Sequence, residues 1–321
     1  MDNLTHSLVG AALGQAGLKK KTGLAMPALI IGANIPDVDA TCFLWLEGME
    51  HVGFRRGITH GPPAMLLLPL VLAGALWWFD RWQAKRGKRP EGRLPVHFGW
   101  LYALSLLGCL SHPAMDWLNV YGVRFLEPFS SAWSYGDTLF IIDVWLWAIL
   151  IGSLWWSWRC EKKGGNWTRP ARIGIVVALA YIGVNWAITN VERSNAQDWL
   201  AGSGVEGVEI IASPLPIEFW RREVLVGDDE SWSRLTRPAN THSGGLVEDL
   251  AATSCNTTAA LQSAKRNDEL NAFLFWSRAP FAVRADDGSV ILYDARFYDP
   301  RARDRFSVAL PDVECEPLTT P

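Results

Sequence analysis

LPVHFGWLYALSLLGCLSHPAMDW, residues 94–117, joins an apolar run to a histidine and an aspartate four positions apart, His112 and Asp116. The run at 94–111 is long enough to cross a bilayer as a helix. Residues spaced i, i+4 share a helix face, with Cβ atoms about 5–6 Å apart, so two ligating side chains would form a rigid edge. An Asp at the centre of a membrane helix costs about 2.5–3.5 kcal/mol on insertion scales, so one kept near a span calls for an explanation. Pro113 suits the first position of a new helix, which would start near His112.

Working outward, apolar runs at 62–79, 139–158 and 173–188 predict three more spans, the second of these carrying Asp143 and the last Asn185. Segments 24–35 and 38–46 are too short to cross alone. They read as a helix broken at Pro36 or as re-entrant pieces buried against the bundle. Residues 4–18 begin almost at Met1, and their basic residues Lys19, Lys20 and Lys21 follow rather than precede the apolar core. That order predicts a retained helix rather than a cleaved leader.

Basic residues set the orientation. Arg81, Lys85, Arg86, Lys88, Arg89 and Arg93 fill one loop, and Arg159, Lys162, Lys163, Arg169 and Arg172 another, whereas the loop between holds only Arg124. The first two are expected on the cytoplasmic side, with Trp77, Trp78, Trp82, Trp155, Trp156 and Trp158 marking that interface. The chain has 18 Trp in 321 residues, an excess that suits interfacial belts.

On this topology the remaining polar islands fall on the outer side: His6, Pro36-Asp37-Val38-Asp39, Arg56-Gly57-Ile58-Thr59-His60, His112 with Asp116, and Asp137. Histidine and carboxylate without cysteine form a ligand set for zinc or manganese. Held with an open position, such an ion lowers the pKa of a bound water and polarises a phosphoryl oxygen. Arg55 or Arg56 could neutralise a phosphate. Each residue has a plainer reading. His6 could be interfacial, Asp37 and Asp39 or Asp137 could cap helices, and Asp143 could pair with Arg124 or a span histidine. His51 and His97 read as structural. No Gly-rich phosphate loop, His-Glu-x-x-His or Gly-x-Ser-x-Gly motif occurs.

Charge rises after about residue 190. Short strands are expected at 222–226, 271–277, 281–285, 289–295 and 305–309, with a helix within 249–271 and a hairpin turn at Asp286-Asp287-Gly288. The whole predicts an all-α multi-pass membrane bundle over 1–192, followed by a small β-rich α+β domain over 193–321, exported to the periplasm. Cys255 and Cys315 could form a disulfide there. Cys42 and Cys109 read as inert core thiols. The lone His242 belongs to no catalytic pattern. A net charge of −3 offers no global basic field for nucleic acid, and no nucleotide cofactor is expected.

Taken in order, Thr5-His6-Ser7-Leu8-Val9-Gly10, Pro36-Asp37-Val38-Asp39, Arg56-Gly57-Ile58-Thr59-His60, and Ser111-His112 through Asp116-Trp117-Leu118-Asn119, with Tyr121-Gly122-Val123 and Pro128-Phe129-Ser130, resemble the YdjM-like family of bacterial inner-membrane metal-dependent hydrolases. The resemblance covers about residues 1–190. Its ligand order is similar to that of zinc-dependent phospholipase C and P1-type nucleases, which hydrolyse phosphodiesters. By order it implies His6, Asp39, His60, His112 and Asp116 as ligands of one or two divalent ions, zinc or manganese, with Asp37 close by; Asp37 and Arg56 are expected to serve catalysis. This chain has Arg55 where the family often has His. It also lacks the later His-x-x-x-Glu, leaving Asp137 and Asp143 as the carboxylates in range. The expected function is hydrolysis of a phosphoester, in a lipid or envelope-derived substrate, at the outer face of the inner membrane. Rival readings are a non-enzymatic sensor or scaffold whose exported domain binds an envelope partner, and a transporter relaying protons through Asp143 and the histidines.

Overall fold

The computed structural model describes residues 1–236, 246–251 and 253–318; His242 lies outside them. The chain falls into two compact units, the first comprising Met1–Ala40, Arg56–Trp186 and Pro216–Phe219, the second Thr41–Arg55, Ala187–Leu215 and Trp220–Pro321.

The first unit is helical. Its helices are α1 (Asn3–Gln15), α2 (Ala25–Gly32), α4 (Pro62–Lys85), α5 (Phe98–Trp117), α6 (Val144–Lys162) and most of α7 (Thr168–Gly202); α3 (Glu50–Phe54) belongs to the second. Asp2 starts α1 by accepting from the backbone N–H and hydroxyl of Thr5. Pro62 and Pro63 start α4, where a missing N–H costs nothing. The core between α2, α4 and α5 is built from Leu29, Leu72, Ala73, Leu76, Leu101 and Leu104. A second cluster joins α1, α6 and α7 through Ala12, Leu146, Leu150 and Ala178.

Two of these helices, α4 and α7, are long and apolar enough to cross a membrane by length and composition; four such spans were expected. At 24 residues α4 extends about 36 Å, more than the roughly 30 Å hydrocarbon layer. The other two expected spans are helices of 20 and 19 residues, but α5 carries Ser105, Ser111, His112 and Asp116, and α6 carries Ser153, Ser157, Arg159 and Glu161. The run at 139–158 is helical only from Val144. Asp143 lies outside that helix as its N-cap, accepting from Leu146 N and from the Tyr181 hydroxyl, so it is not a charge within a span. No helix starts at His112 either: α5 continues through Pro113 to Trp117. The break near Pro36 is present, with α2 ending at Gly32 and a 3-10 segment running over Ile35–Leu44.

The basic termini gather at one end of this unit. Lys19 Nζ lies 2.6 Å from Glu161 Oε2, Arg172 Nε donates to Ala16 O, and Gly23 N donates to Pro95 O. Cations cover the neighbouring indoles, with Arg159 over Trp155, Lys162 over Trp158 and Arg81 over Trp77.

The second unit holds two four-stranded antiparallel sheets. One is formed in sequence order by β1 (Glu209–Pro214), β2 (Arg222–Gly227), β3 (Trp232–Thr236) and β4 (Leu246–Asp249). The other is formed by β5 (Ser254–Cys255), β6 (Pro280–Arg284), β7 (Val290–Asp294) and β8 (Ser307–Leu310). Ile211, Leu225 and Trp232 from the first sheet share a core with Phe281, Val283 and Tyr293 from the second. The expected turn is present, with Gly288 at φ +90° between β6 and β7. Segment 271–277 forms no strand; residues 271–276 lie in α9 (Asp268–Trp276), after α8 (Thr257–Ser263), and Ser277 is the C-cap of α9. Asn267 caps α9 by accepting from Leu270 N, and the threefold spacing of Leu270, Phe273 and Trp276 buries one helical face. The division expected after residue 192 falls inside α7, and the second unit also takes in Thr41–Arg55. Cys255 and Cys315 are joined as a disulfide, their Cα atoms 5.3 Å apart. Cys42 and Cys109 are buried thiols.

Candidate metal centre

The polar islands converge in the first unit, at the end opposite its basic termini. His112 occupies the last turns of α5, fifteen residues and about 22 Å of helical rise from His97 at the other end. His6 lies in the second turn of α1, Asp37 and Asp39 in the 3-10 segment after α2, and His60 in the turn before α4.

Glycines permit this convergence. A Cβ on Gly108 would stand 2.6 Å from Leu29 O and 3.0 Å from Ala33 N, so α5 lies directly on the end of α2. One turn later His112 Nδ1 lies 2.7 Å from Ala33 O. A carbonyl only accepts, so Nδ1 carries a proton and Nε2 is the ring atom turned toward the carboxylates. That atom is 3.5 Å from Asp116 Oδ2 and 3.6 Å from Asp37 Oδ1. The His6 ring stacks on His112 with centroids 3.8 Å apart, and the His60 ring stands edge-on to it at 5.0 Å. His6 Nε2 lies 3.3 Å from Asp116 Oδ1, and His60 Nε2 lies 3.5 Å from Asp116 Oδ2. The Met1 amino group also pairs with Asp116.

Asp39 is placed differently from Asp37. Its Oδ2 accepts from Arg56 N at 2.8 Å and from the Thr59 hydroxyl at 2.9 Å, and that hydroxyl lies 2.9 Å from His60 Nδ1. Asp39 therefore orients His60 through Thr59 while Asp37 faces the cluster. Arg56 has φ +54°, an uncommon value for a residue with a Cβ. Its Nε lies 3.0 Å from Asp116 Oδ2, its guanidinium also donates to Asn119 Oδ1 and Gly122 O, and it sits 4.5 Å over the Tyr121 ring. The sequence reading missed Thr59, Asn119 and the Ala33 carbonyl; the first two stand inside its motifs, but only tertiary contact reveals their work.

Two groups could each hold an ion, His6 with Asp37 and His112, and His60 with His112 and Asp116, the donor atoms of each lying within 4.8 Å of one another. The expected ligand Asp39 is in neither, and Asp37 is in the first. Both ring nitrogens of His6 and the Nε2 atoms of His60 and His112 are buried without a hydrogen-bond partner among the described residues. Buried polar atoms are almost always satisfied, so such a concentration calls for an occupant. Donors about 2.0–2.1 Å from a tetrahedral ion stand about 3.3–3.4 Å apart. The observed separations of 3.3–3.6 Å fit that spacing and are long for direct N–H···O bonds. Burial lowers the pKa of His60, against the opposing pull of Asp116 and Asp39. Burial lowers that of His112 too, but Asp116 and Asp37 outweigh it and raise it to about 9, so an ion there would have to displace a proton from His112. The donor set thus suits a divalent ion of the zinc or manganese kind.

Two helices long and apolar enough to span and a buried His/Asp cluster fit a helical membrane protein. A model of the family described as YdjM inner membrane protein matches residues 1–191, more than half of the chain, and the chain belongs to that family. No curated protein and no solved structure matches it.

Proposed function

We propose that the chain is a multi-pass inner-membrane hydrolase that uses a divalent ion, zinc or manganese, to cleave a phosphoester. The observation that carries this reading is the meeting of His6, His60, His112 and Asp116, with Asp37 beside them, around buried nitrogens that lack hydrogen bonds. When bound there, the ion supplies Lewis acidity and activates a water for attack on phosphorus. The chain's own groups do the rest. Ala33 and Thr59 fix which nitrogens of His112 and His60 face the centre. Arg56 brings a fixed positive charge to an anionic ester. Asp37, at 9% exposure the least buried carboxylate of the group, takes up the proton released by the water.

Basic termini at one end support a cytoplasmic position for that end and an outer-face position for the cluster. The Cys255–Cys315 disulfide favours an oxidising compartment for the second unit, hence the periplasm. The test is the metal content of detergent-purified protein beside His112→Ala/Asp116→Ala, together with hydrolysis of a chromogenic phosphodiester. The wild type should retain zinc or manganese and lose turnover to a chelator, and the double variant should lack both. Equal metal content in the two proteins overturns the reading.

A further inference from the structure

The ligating side chains are almost fully buried, so a substrate needs a route to them. One groove of the first unit, about 460 Å³, has a member of the cluster in its wall. It runs between the first turns of α4 and the last turns of α5. Met65 and Leu66 of α4, Leu106 and Leu110 of α5, and Phe125 line it, together with the buried His60. We propose that this groove receives the hydrocarbon chain of a membrane phospholipid and brings the headgroup ester to the His60 side of the centre. The second clause rests on the hydrolase reading; the first does not.

Three observations select this occupant. His60 is the single polar residue in the lining, so the groove offers no array of donors and acceptors for a peptide backbone, which would bury unsatisfied groups there. A hydrocarbon chain has no such groups. The lips are apolar and exposed, Leu66 at 57% and Leu110 at 48%, and Leu66 belongs to a helix long and apolar enough to span a bilayer. Lipid chains therefore meet the opening directly. The groove wall also borders the cluster, since the His60 ring in its lining has its Nε2 3.5 Å from Asp116 Oδ2. Its volume lies within the range of about 300–1,000 Å³ usual for small-molecule sites.

The experiment uses the full chain in vesicles of phosphatidylethanolamine and phosphatidylglycerol carrying a photoreactive diazirine on one acyl chain, with insertion sites mapped by mass spectrometry. Labelling is expected at Met65, Leu106 and Phe125 as well as at the outward residues Val176 and Leu179 of α7. Ala114→Phe, an exposed position of the groove wall, should cut labelling at Met65 and Phe125 at least fivefold while leaving Val176, Leu179 and the metal content unchanged. Leu110→Trp should act in the same direction. If the inner groove residues label no more than background in the wild type, or if both fillings leave their labelling intact, the proposal is overturned. Crosslinks from the groove to a second copy of the chain overturn it too. If the groove labels as expected but the protein holds no metal and cleaves no ester, lipid occupancy stands and the hydrolase reading falls.

Discussion

The Nδ1 atom of His112 sits 2.7 Å from the carbonyl oxygen of Ala33, and this one contact decides which face of the imidazole meets the carboxylates. It depends on α5 lying against the end of α2, which in turn depends on Gly108 having no side chain.

Gly108→Ala should therefore act at the cluster although it adds only a methyl group. The new Cβ would stand 2.6 Å from a backbone oxygen, which cannot rotate away as a side chain could. Overpacking of this kind costs about 1–3 kcal/mol. If the helices part to relieve it, His112 loses its carbonyl partner. The expected outcome is a lower thermal midpoint together with reduced zinc content in detergent-purified protein, read by elemental analysis. Full metal content with unchanged stability would show that the α2–α5 contact does not position His112.

Thr59→Val tests the support of His60 without touching a proposed ligand. The hydroxyl links Asp39 Oδ2 to His60 Nδ1, and the valine keeps the volume while deleting that link. Loss of such outer partners lowers metal affinity about 10–100-fold. Competition with a chromophoric chelator should show a drop of that size, and Thr59→Ser should restore most of it. A Thr59→Val protein with unaltered affinity would mean that Asp39 does not act through Thr59.

Much of the first unit was legible because its signals are strong and local. Apolar runs at 62–79 and 173–188 lie in helices long and apolar enough to span, and His112 with Asp116 share a helix face. Other positions misled where a local pattern served two purposes. Asp143 looked like a charge within a span because the apolar run begins at Leu139, yet the helix waits for a residue able to cap it. Segment 271–277 looked like a strand because it is aromatic, but the threefold spacing of Leu270, Phe273 and Trp276 suits a helix capped by Asn267. Asp37 and Asp39 are two residues apart, and ligand order assigned the ion to Asp39, whereas Asp37 is the one that stands in a donor group. Their different duties come from Thr59 and Arg56, which lie 20 and 17 residues further along for Asp39.

The disulfide gives a prediction confined to the second unit. Cys255 and Cys315 are 60 residues apart in sequence, and closing a loop of that length restricts the unfolded chain by about 4 kcal/mol in the chain-entropy view. Cys255→Ser/Cys315→Ser should make β5 to β8 markedly more sensitive to limited proteolysis, and reductant should do the same to the wild type but not to the variant. Cleavage rates in this region that are identical for all samples would show that the bridge adds no stability.

Asp294 supplies an acid-sensitive contact far from any ligand. Its carboxylate and the Arg296 guanidinium are both fully buried, with contacts of 2.8 Å from Nε and 2.7 Å from the terminal amine, and Ser277 donates a third bond. Burial pushes the Asp294 pKa up, but Arg296 and these bonds outweigh it and hold the carboxyl below the usual aspartate value. The folded state therefore binds this proton less readily than the unfolded chain, whose aspartates titrate near pKa about 3.9. The stabilisation is complete above that range and fades as the pH falls through it toward the folded pKa. Asp294→Asn should cost about 3–5 kcal/mol at neutral pH, because it leaves a buried guanidinium without its counter-charge. The variant should also lose part of the acid limb of the stability profile. Denaturant melts of the full chain at neutral and acidic pH, followed by proteolytic cleavage within the second unit, would measure both effects. If wild type and variant lose stability in parallel as the pH falls, the ion pair does not carry the acid dependence assigned to it.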